Sequence, residues 1–166
     1  MRPNSLRALR IASTALPLGD CNCSRLPEVQ LDTIVSAWPA RTVSGRVLHL
    51  TEPISFWGGV SASDASLTDP LTRHFGQTVA NRVLIIRELR GSSSGGSILL
   101  ELIYTRRAPS AILLAAPDAI LALGVLVARE MSWPSPGIFK LVESAQNNIP
   151  EEALMSIDAQ GIATIN

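Results

Sequence analysis

Two short apolar runs, Val83-Leu84-Ile85-Ile86 and Ala111-Ile112-Leu113-Leu114-Ala115, dominate the centre of the chain, and each leads through a turn into a stretch of helical periodicity. Runs this short, bounded by polar or turn-forming residues, read as buried strands rather than helices. The first, within Arg82–Leu89, enters Arg90-Gly91-Ser92-Ser93-Ser94-Gly95-Gly96-Ser97; Ile98, Leu99, Leu102 and Ile103 then recur at helical spacing, which predicts a helix over 98–107 that Pro109 stops. The second meets Pro117 and Asp118, an N-cap residue type, ahead of a predicted helix over 119–131. A strand–loop–helix–strand–helix centre makes the chain α/β. Periodicity leaves open whether the strands form one sheet or two layers.

Flanking segments add strands. Thr42–Leu50 is β-rich, with Gly45 at a bend or bulge. Gly137–Val142 reads as a strand, and Ala153–Asp158 and Ile162–Asn166 flank Ala159-Gln160-Gly161 as a hairpin. Between the first strand and the centre lies Thr51–Asp69, a loop rich in Pro, Gly, Ser and Asp that also holds Phe56 and Trp57. A loop of this length is functional or disordered, and two of only seven aromatics argue for function. Ordered periodicity begins near Arg41, so residues 41–166 are expected to form one domain and residues 1–40 a loosely attached extension. The basic start (Arg2, Arg7, Arg10) carries no acid before residue 20, which also suits a transit-like leader or an over-extended start.

The formal net charge is zero, which excludes an electrostatically driven nucleic-acid binder. A hydrophobic content of 46% excludes a largely disordered chain. The zero hides segregation. Residues 73–107 hold Arg73, Arg82, Arg87, Arg90, Arg106 and Arg107 against Glu88 and Glu101, a local +4, and residues 108–166 sum to −4. Cys21 and Cys23 are the two cysteines, and His49 and His74 lie far from them in sequence, so a complete metal site within this chain is not expected. Two cysteines make no disulfide framework, which fits a reducing, cytoplasmic compartment. The longest apolar stretch, Ala111–Ala128, has Pro117 and Asp118 at its middle and does not read as a membrane span.

The informative element is the serine loop. Glycines let the backbone approach a ligand, and the helix that follows presents unpaired N–H groups and a positive dipole end. A serine there caps the helix or meets an anion. A phosphate loop of the Walker type needs a Lys that is missing here. Gly91-Ser92-Ser93-Ser94-Gly95 matches the nucleophile-elbow pattern G-x-S-x-G, but no His follows His74 to serve Ser93 as its base. The remaining chemical reading is a serine that takes a proton. Its oxyanion would need stabilising N–H donors and a nearby Arg, for which Arg82 and Arg90 are close in sequence. Abstraction next to a carboxylate with loss of a hydroxyl is a dehydration, and the leaving hydroxyl usually needs a Lewis acid. A second polypeptide would have to bring it.

Several segments together resemble one family. Gly45-Arg46-Val47-Leu48, Glu52-Pro53-Ile54-Ser55-Phe56-Trp57-Gly58-Gly59-Val60, Gly76–Leu84, Arg90–Gly95, Ala108–Leu113 and Asp118–Gly124 are similar to the small, swivelling subunit of aconitase X. The resemblance spans roughly residues 43–132. It implies a swivelling β/β/α domain that packs against a large aconitase-like subunit with an iron–sulfur cluster, and no cofactor in this chain. Members dehydrate cis-3-hydroxy-L-proline or, in archaeal relatives, mevalonate 5-phosphate, so a small carboxylate- or phosphate-bearing substrate is implied. In the wider superfamily a Gly-Ser-Ser segment of the swivelling domain supplies the serine base. Carried over, the base is Ser92, with Ser93 next; Arg90, Gly91, Ser93 and Ser94 would bind substrate. In aconitase an Arg follows that segment, and here Ser94 stands in its place, so the clamp on the substrate carboxylate stays open. Ser55, Phe56 and Trp57 would line the site or the subunit interface, with core anchoring and turn capping as their ordinary alternatives. His74 is expected at the surface or interface. A reading of a different class is an interaction module that binds a partner without chemistry.

Overall fold

The structure is a computed structural model and describes residues 28–166; Cys21, Cys23 and the basic start lie outside the described residues. Its strands are β1 (Glu28–Gln30), β2 (Asp32–Val35), β3 (Val43–Leu50), β4 (Val83–Ile86), β5 (Ala111–Leu114), β6 (Gly137–Lys140), β7 (Leu154–Ile157) and β8 (Ile162–Ile165). The helices are α1 (Phe56–Gly59), a single kinked turn, α2 (Gly95–Tyr104), α3 (Ala119–Glu130) and the short α4 (Glu143–Gln146).

The strand order is β1-β8-β7-β3-β4-β5-β6-β2. Strands β3, β4, β5 and β6 run parallel, with β2 antiparallel at the far edge; β7, β8 and β1 extend the other side antiparallel. Strand β3 serves both halves. Its first four residues, Val43–Arg46, pair with β7, and its last four, Val47–Leu50, pair with β4. Gly45, just ahead of this change of partner, pairs with Met155 in unbroken register rather than forming the expected bend or bulge; it is glycine because a β-carbon would fall 2.4 Å from the Asn81 carbonyl oxygen. The two ends of the strand order, β1 and β2, are separated in sequence by Leu31 alone. The sheet therefore folds back on itself as two layers, with Leu31 buried between them.

Alternation along the strands creates two cores. Val47, Val83, Ile85, Ala111, Leu113 and Phe139 point into the space between the layers, with Met155, Ile157 and Ala163 opposite. Leu48, Leu50, Leu84, Ile86, Ile112, Leu114 and Ile138 point the other way, against Leu99, Leu102, Ile103, Leu121, Val125 and Ala128 of α2 and α3. Strands buried on both faces read as continuous apolar runs, which is what the sequence shows in β4 and β5. The result is a β/β/α arrangement, as the resemblance implies.

Two boundaries differ from expectation. Residues 28–35, assigned above to a loose extension, supply the strands that close the sheet. Their partners lie more than a hundred residues away, so no local pattern marks them. Helix α2 begins at Gly95 rather than Ile98. Gly96 lets α2 pack closely on α3: a β-carbon there would lie 2.5 Å from the Ile120 carbonyl oxygen, so its role is helix packing rather than loop flexibility. A β-carbon on Gly95 would make only ordinary contacts at 3.7 Å or more. The predicted cap of α3 is present, the Asp118 carboxylate accepting the Leu121 amide at 2.7 Å.

Candidate active site

The parallel strands β3, β4 and β5 deliver three connections to one edge of the sheet: Thr51–Phe56 after β3, Arg87–Ser94 after β4, and Ala115–Asp118 after β5. Ligands of parallel α/β sheets bind at this carboxyl edge, where connecting loops meet helix N-termini. The first two connections are stitched together. The Ile54 amide donates to the Glu88 carbonyl at 3.1 Å, and the Arg90 amide to the Ile54 carbonyl at 2.8 Å. A shallow cleft results, lined by Ser55, Phe56, Leu89, Arg90, Gly91, Ser92, Gly95, Asp118, Ile120 and Leu121.

Within it the three serines differ. Ser92 is half-buried on the cleft wall, Ser93 is exposed, and Ser94 is half-buried at the N-cap of α2, where its side chain makes no capping bond. The Ser94 amide donates to Ser92 Oγ at 3.3 Å, and the Gly95 amide to the Ser92 carbonyl at 2.9 Å. These bonds turn the chain so that the Ser92 hydroxyl rests against the amino end of α2. An N–H donor and a positive dipole end both favour negative charge on that oxygen.

Ser55, Phe56 and Trp57 separate. Ser55 is half-buried on the cleft wall, Phe56 is a core anchor with 2% exposure that forms the cleft floor, and Trp57 stands out at 61%. Asp118 reaches the cleft, but its carboxylate is held by the Leu121 amide. His74, expected at the surface, is buried at 7% exposure.

The charge pattern also resolves differently in space. Arg82 precedes β4 and the serine loop follows it, so the strand's length, about 10 Å, separates them. Arg82 donates to the Val47 carbonyl and pairs with Glu152; Arg73 pairs with Glu151 at 3.3 Å and Arg87 with Glu143 at 3.1 Å. Three of the six arginines of residues 73–107 are thus matched to the acidic block that follows them. Arg90 is exposed in the loop, with no ion-pair partner among the described residues. Arg106 and Arg107 are also exposed without ion pairs among the described residues but follow α2, so at the serine loop the positive charge comes from Arg90 and the helix end.

Pure size would point elsewhere. An open cavity of about 660 Å³, lined in part by Arg41, Tyr104, Arg106 and Trp133, lies at the amino ends of the parallel strands. It lacks the serine loop and the helix N-terminus, so chemistry favours the smaller cleft. Among the described residues no group of three or more His, Cys, Asp or Glu side chains is placed to hold a metal ion, and no helix is long and apolar enough to cross a membrane.

Comparison with known proteins bears on the family and the fold. The chain is 47% identical over 92 residues to cis-3-hydroxy-L-proline dehydratase of Pseudomonas aeruginosa, which covers 55% of this chain and 16% of that protein. It is 28% identical over 120 residues to the phosphomevalonate dehydratase small subunit of Pyrococcus horikoshii, covering 72% of this chain and 90% of the subunit. The fold matches the crystal structure of Thermococcus kodakaraensis aconitase X with a TM-score of 0.70 at 24% identity, over 84% of this chain and 98% of that one. The family model of the aconitase X swivel domain matches residues 33–165. Since that match runs from β2 to β8, through both layers of the sheet and the helices packed on it, the chain belongs to the aconitase X swivel-domain family.

Proposed function

We propose that this chain acts as the small, swivelling part of an aconitase X-type hydro-lyase and supplies Ser92 as the base in a site completed by a larger polypeptide. The observation that carries the reading is the setting of Ser92: half-buried in the cleft, its Oγ accepting the Ser94 amide, with Arg90 beside it in the loop. The Ser92 oxyanion takes the proton from the carbon next to the substrate carboxylate. The electron pair left behind forms a carbon–carbon double bond as the hydroxyl leaves the neighbouring carbon. Gly91, Ser93 and Ser94 present backbone amides and hydroxyls to the anionic end of the substrate, and Arg90 supplies full positive charge. Ser55 and Phe56 close the opposite wall. The larger polypeptide carries an iron–sulfur cluster, which supplies Lewis acidity toward the leaving hydroxyl. The reaction is cytoplasmic.

The substrate proposed is cis-3-hydroxy-L-proline, giving pyrroline-2-carboxylate after the enamine tautomerises. Identity to the Pseudomonas dehydratase, at 47%, supports it. Mevalonate 5-phosphate is the second reading, favoured by the match across 90% of the Pyrococcus small subunit. A helix N-terminus with an Arg accepts phosphate as well as carboxylate, so the cleft itself does not choose between them. The test is a dehydratase assay of the reconstituted pair on both substrates, with Ser92→Ala in parallel. Turnover of hydroxyproline that the variant abolishes supports the first reading. Turnover of phosphomevalonate alone supports the second, and wild-type rates in the variant remove Ser92 from the mechanism.

A further inference from the structure

The segment Leu71–Phe75 is built with its polarity reversed. Thr72 and His74 are buried, at 9% and 7% exposure, whereas Leu71 is 79% exposed and Phe75 is 61% exposed. Scattered apolar residues are ordinary on a protein surface, but here two polar side chains are turned inward while Leu71 and Phe75 flank the exposed, ion-paired Arg73 on the outward side. Hydrogen bonds hold the inward face at every polar side-chain atom but His74 Nδ1. The His74 amide donates to Thr72 Oγ1 at 3.3 Å, Thr72 Oγ1 donates to the Glu52 carboxylate at 3.5 Å, and Arg73 Nε donates to His74 Nε2 at 3.0 Å. Arg73 is further held by its ion pair with Glu151.

The outward face is equally constrained. The Leu71 amide donates to the Asp69 carboxylate at 2.9 Å, the Phe75 amide to the Thr72 carbonyl at 3.1 Å, and the Gly76 amide to the Leu67 carbonyl at 2.8 Å. Next to Leu67, the Thr68 amide and hydroxyl bond the carbonyls of Gly59 and Gly58 at 3.0 and 2.9 Å. That joins the segment to the Phe56–Gly59 turn, on which Trp57 stands 61% exposed beside the cleft. One hydrogen-bonded unit therefore runs from the cleft to Phe75 and displays three large apolar side chains.

We infer that Trp57, Leu71 and Phe75 form the surface on which the larger polypeptide docks. The inference rests on the proposed function for the existence of that polypeptide and adds the face it uses. The aligned region is 16% of the Pseudomonas relative, so most of that protein lies outside anything this chain supplies, and it is the occupant whose docking would also close the cleft. The apolar residues exposed on α3, Leu123 at 58% and Leu126 at 44%, belong to an ordinary amphipathic helix whose polarity is not reversed, and they serve as the comparison.

The test is co-expression of this chain with its cognate larger polypeptide, with association measured by co-purification and by titration of the purified partners. Leu71→Asp and Phe75→Asp, each checked for an unchanged circular dichroism spectrum, are expected to weaken association by about tenfold or more, as for interface hot spots. Leu71→Ala and Phe75→Ala keep the test informative should an Asp variant fail to fold, and they are expected to weaken association in the same direction. Leu123→Ser should associate like the wild type. Wild-type association of folded Leu71 and Phe75 variants, or loss of association in Leu123→Ser alone, would overturn the docking surface and leave the proposed function standing. Absence of any association between the wild-type chains would instead remove the proposed function, and the docking surface with it.

Discussion

Gly96 and Gly124 bring the backbones of α2 and α3 into direct contact: a β-carbon on Gly124 would stand 2.6 Å from the Gly96 carbonyl oxygen. This crossing sets where α2 begins, and hence where the serine loop ahead of it is held. Gly124→Ala would add up to about 1 kcal/mol of helix propensity, but the methyl meets rigid backbone. Net destabilisation of about 1–3 kcal/mol is expected from overpacking, read as a lower denaturation midpoint.

The three serines should separate kinetically. Ser92→Ala is expected to lower kcat of the reconstituted pair by about 10²–10⁴-fold, the usual range for a lost acid–base group. Ser94→Ala should spare kcat, because what reaches Ser92 Oγ is the backbone amide of Ser94, and should raise KM by up to about tenfold through loss of a hydroxyl from the anionic end of the substrate. Steady-state rates of the two variants, with matched folding by circular dichroism, decide it.

Arg90 has no ion-pair partner among the described residues and stands in the serine loop. Arg90→Gln is expected to raise KM by about tenfold, the size of a lost charge-assisted hydrogen bond. The same change at Arg82, bonded to the Val47 carbonyl and Glu152, should lower stability and leave KM alone.

Asp118→Ala removes the acceptor of the Leu121 amide. A loss of about 1 kcal/mol in unfolding free energy is expected. Denaturant titration measures it.

Burial lowers the His49 pKa from its ordinary value, with the Glu151 carboxylate opposing the shift and Arg73 and His74 adding to it. A histidine whose folded pKa is depressed binds protons more readily in the unfolded chain. Its contribution to stability is present above about pH 6.5, the ordinary histidine value, and is lost as pH falls toward the folded pKa. The melting temperature should therefore decline on acidification below that value, and His49→Gln should flatten the decline. An unchanged slope in the variant would assign the pH dependence to other groups.

Strands β4 and β5, the serine loop ahead of a helix, the Asp118 cap and the terminal hairpin were all legible in the sequence, because each carries a local mark: a short apolar run, a glycine–serine cluster, an N-cap residue or a turn. The positions of Ser92, Arg90 and Phe56 in one cleft were foreshadowed by motif and resemblance, and the fold brings them together at the carboxyl edge of β3 and β4. Other features depend on partners far along the chain. Sheet closure by residues 28–35, the pairing of Arg82 with Glu152, the use of Gly96 against Ile120, and the bond of buried Thr72 to Glu52 all join segments apart in sequence. Local periodicity reports which face of an element is apolar. Only tertiary structure decides what that face meets, and in Leu71–Phe75 it leaves the apolar side outward.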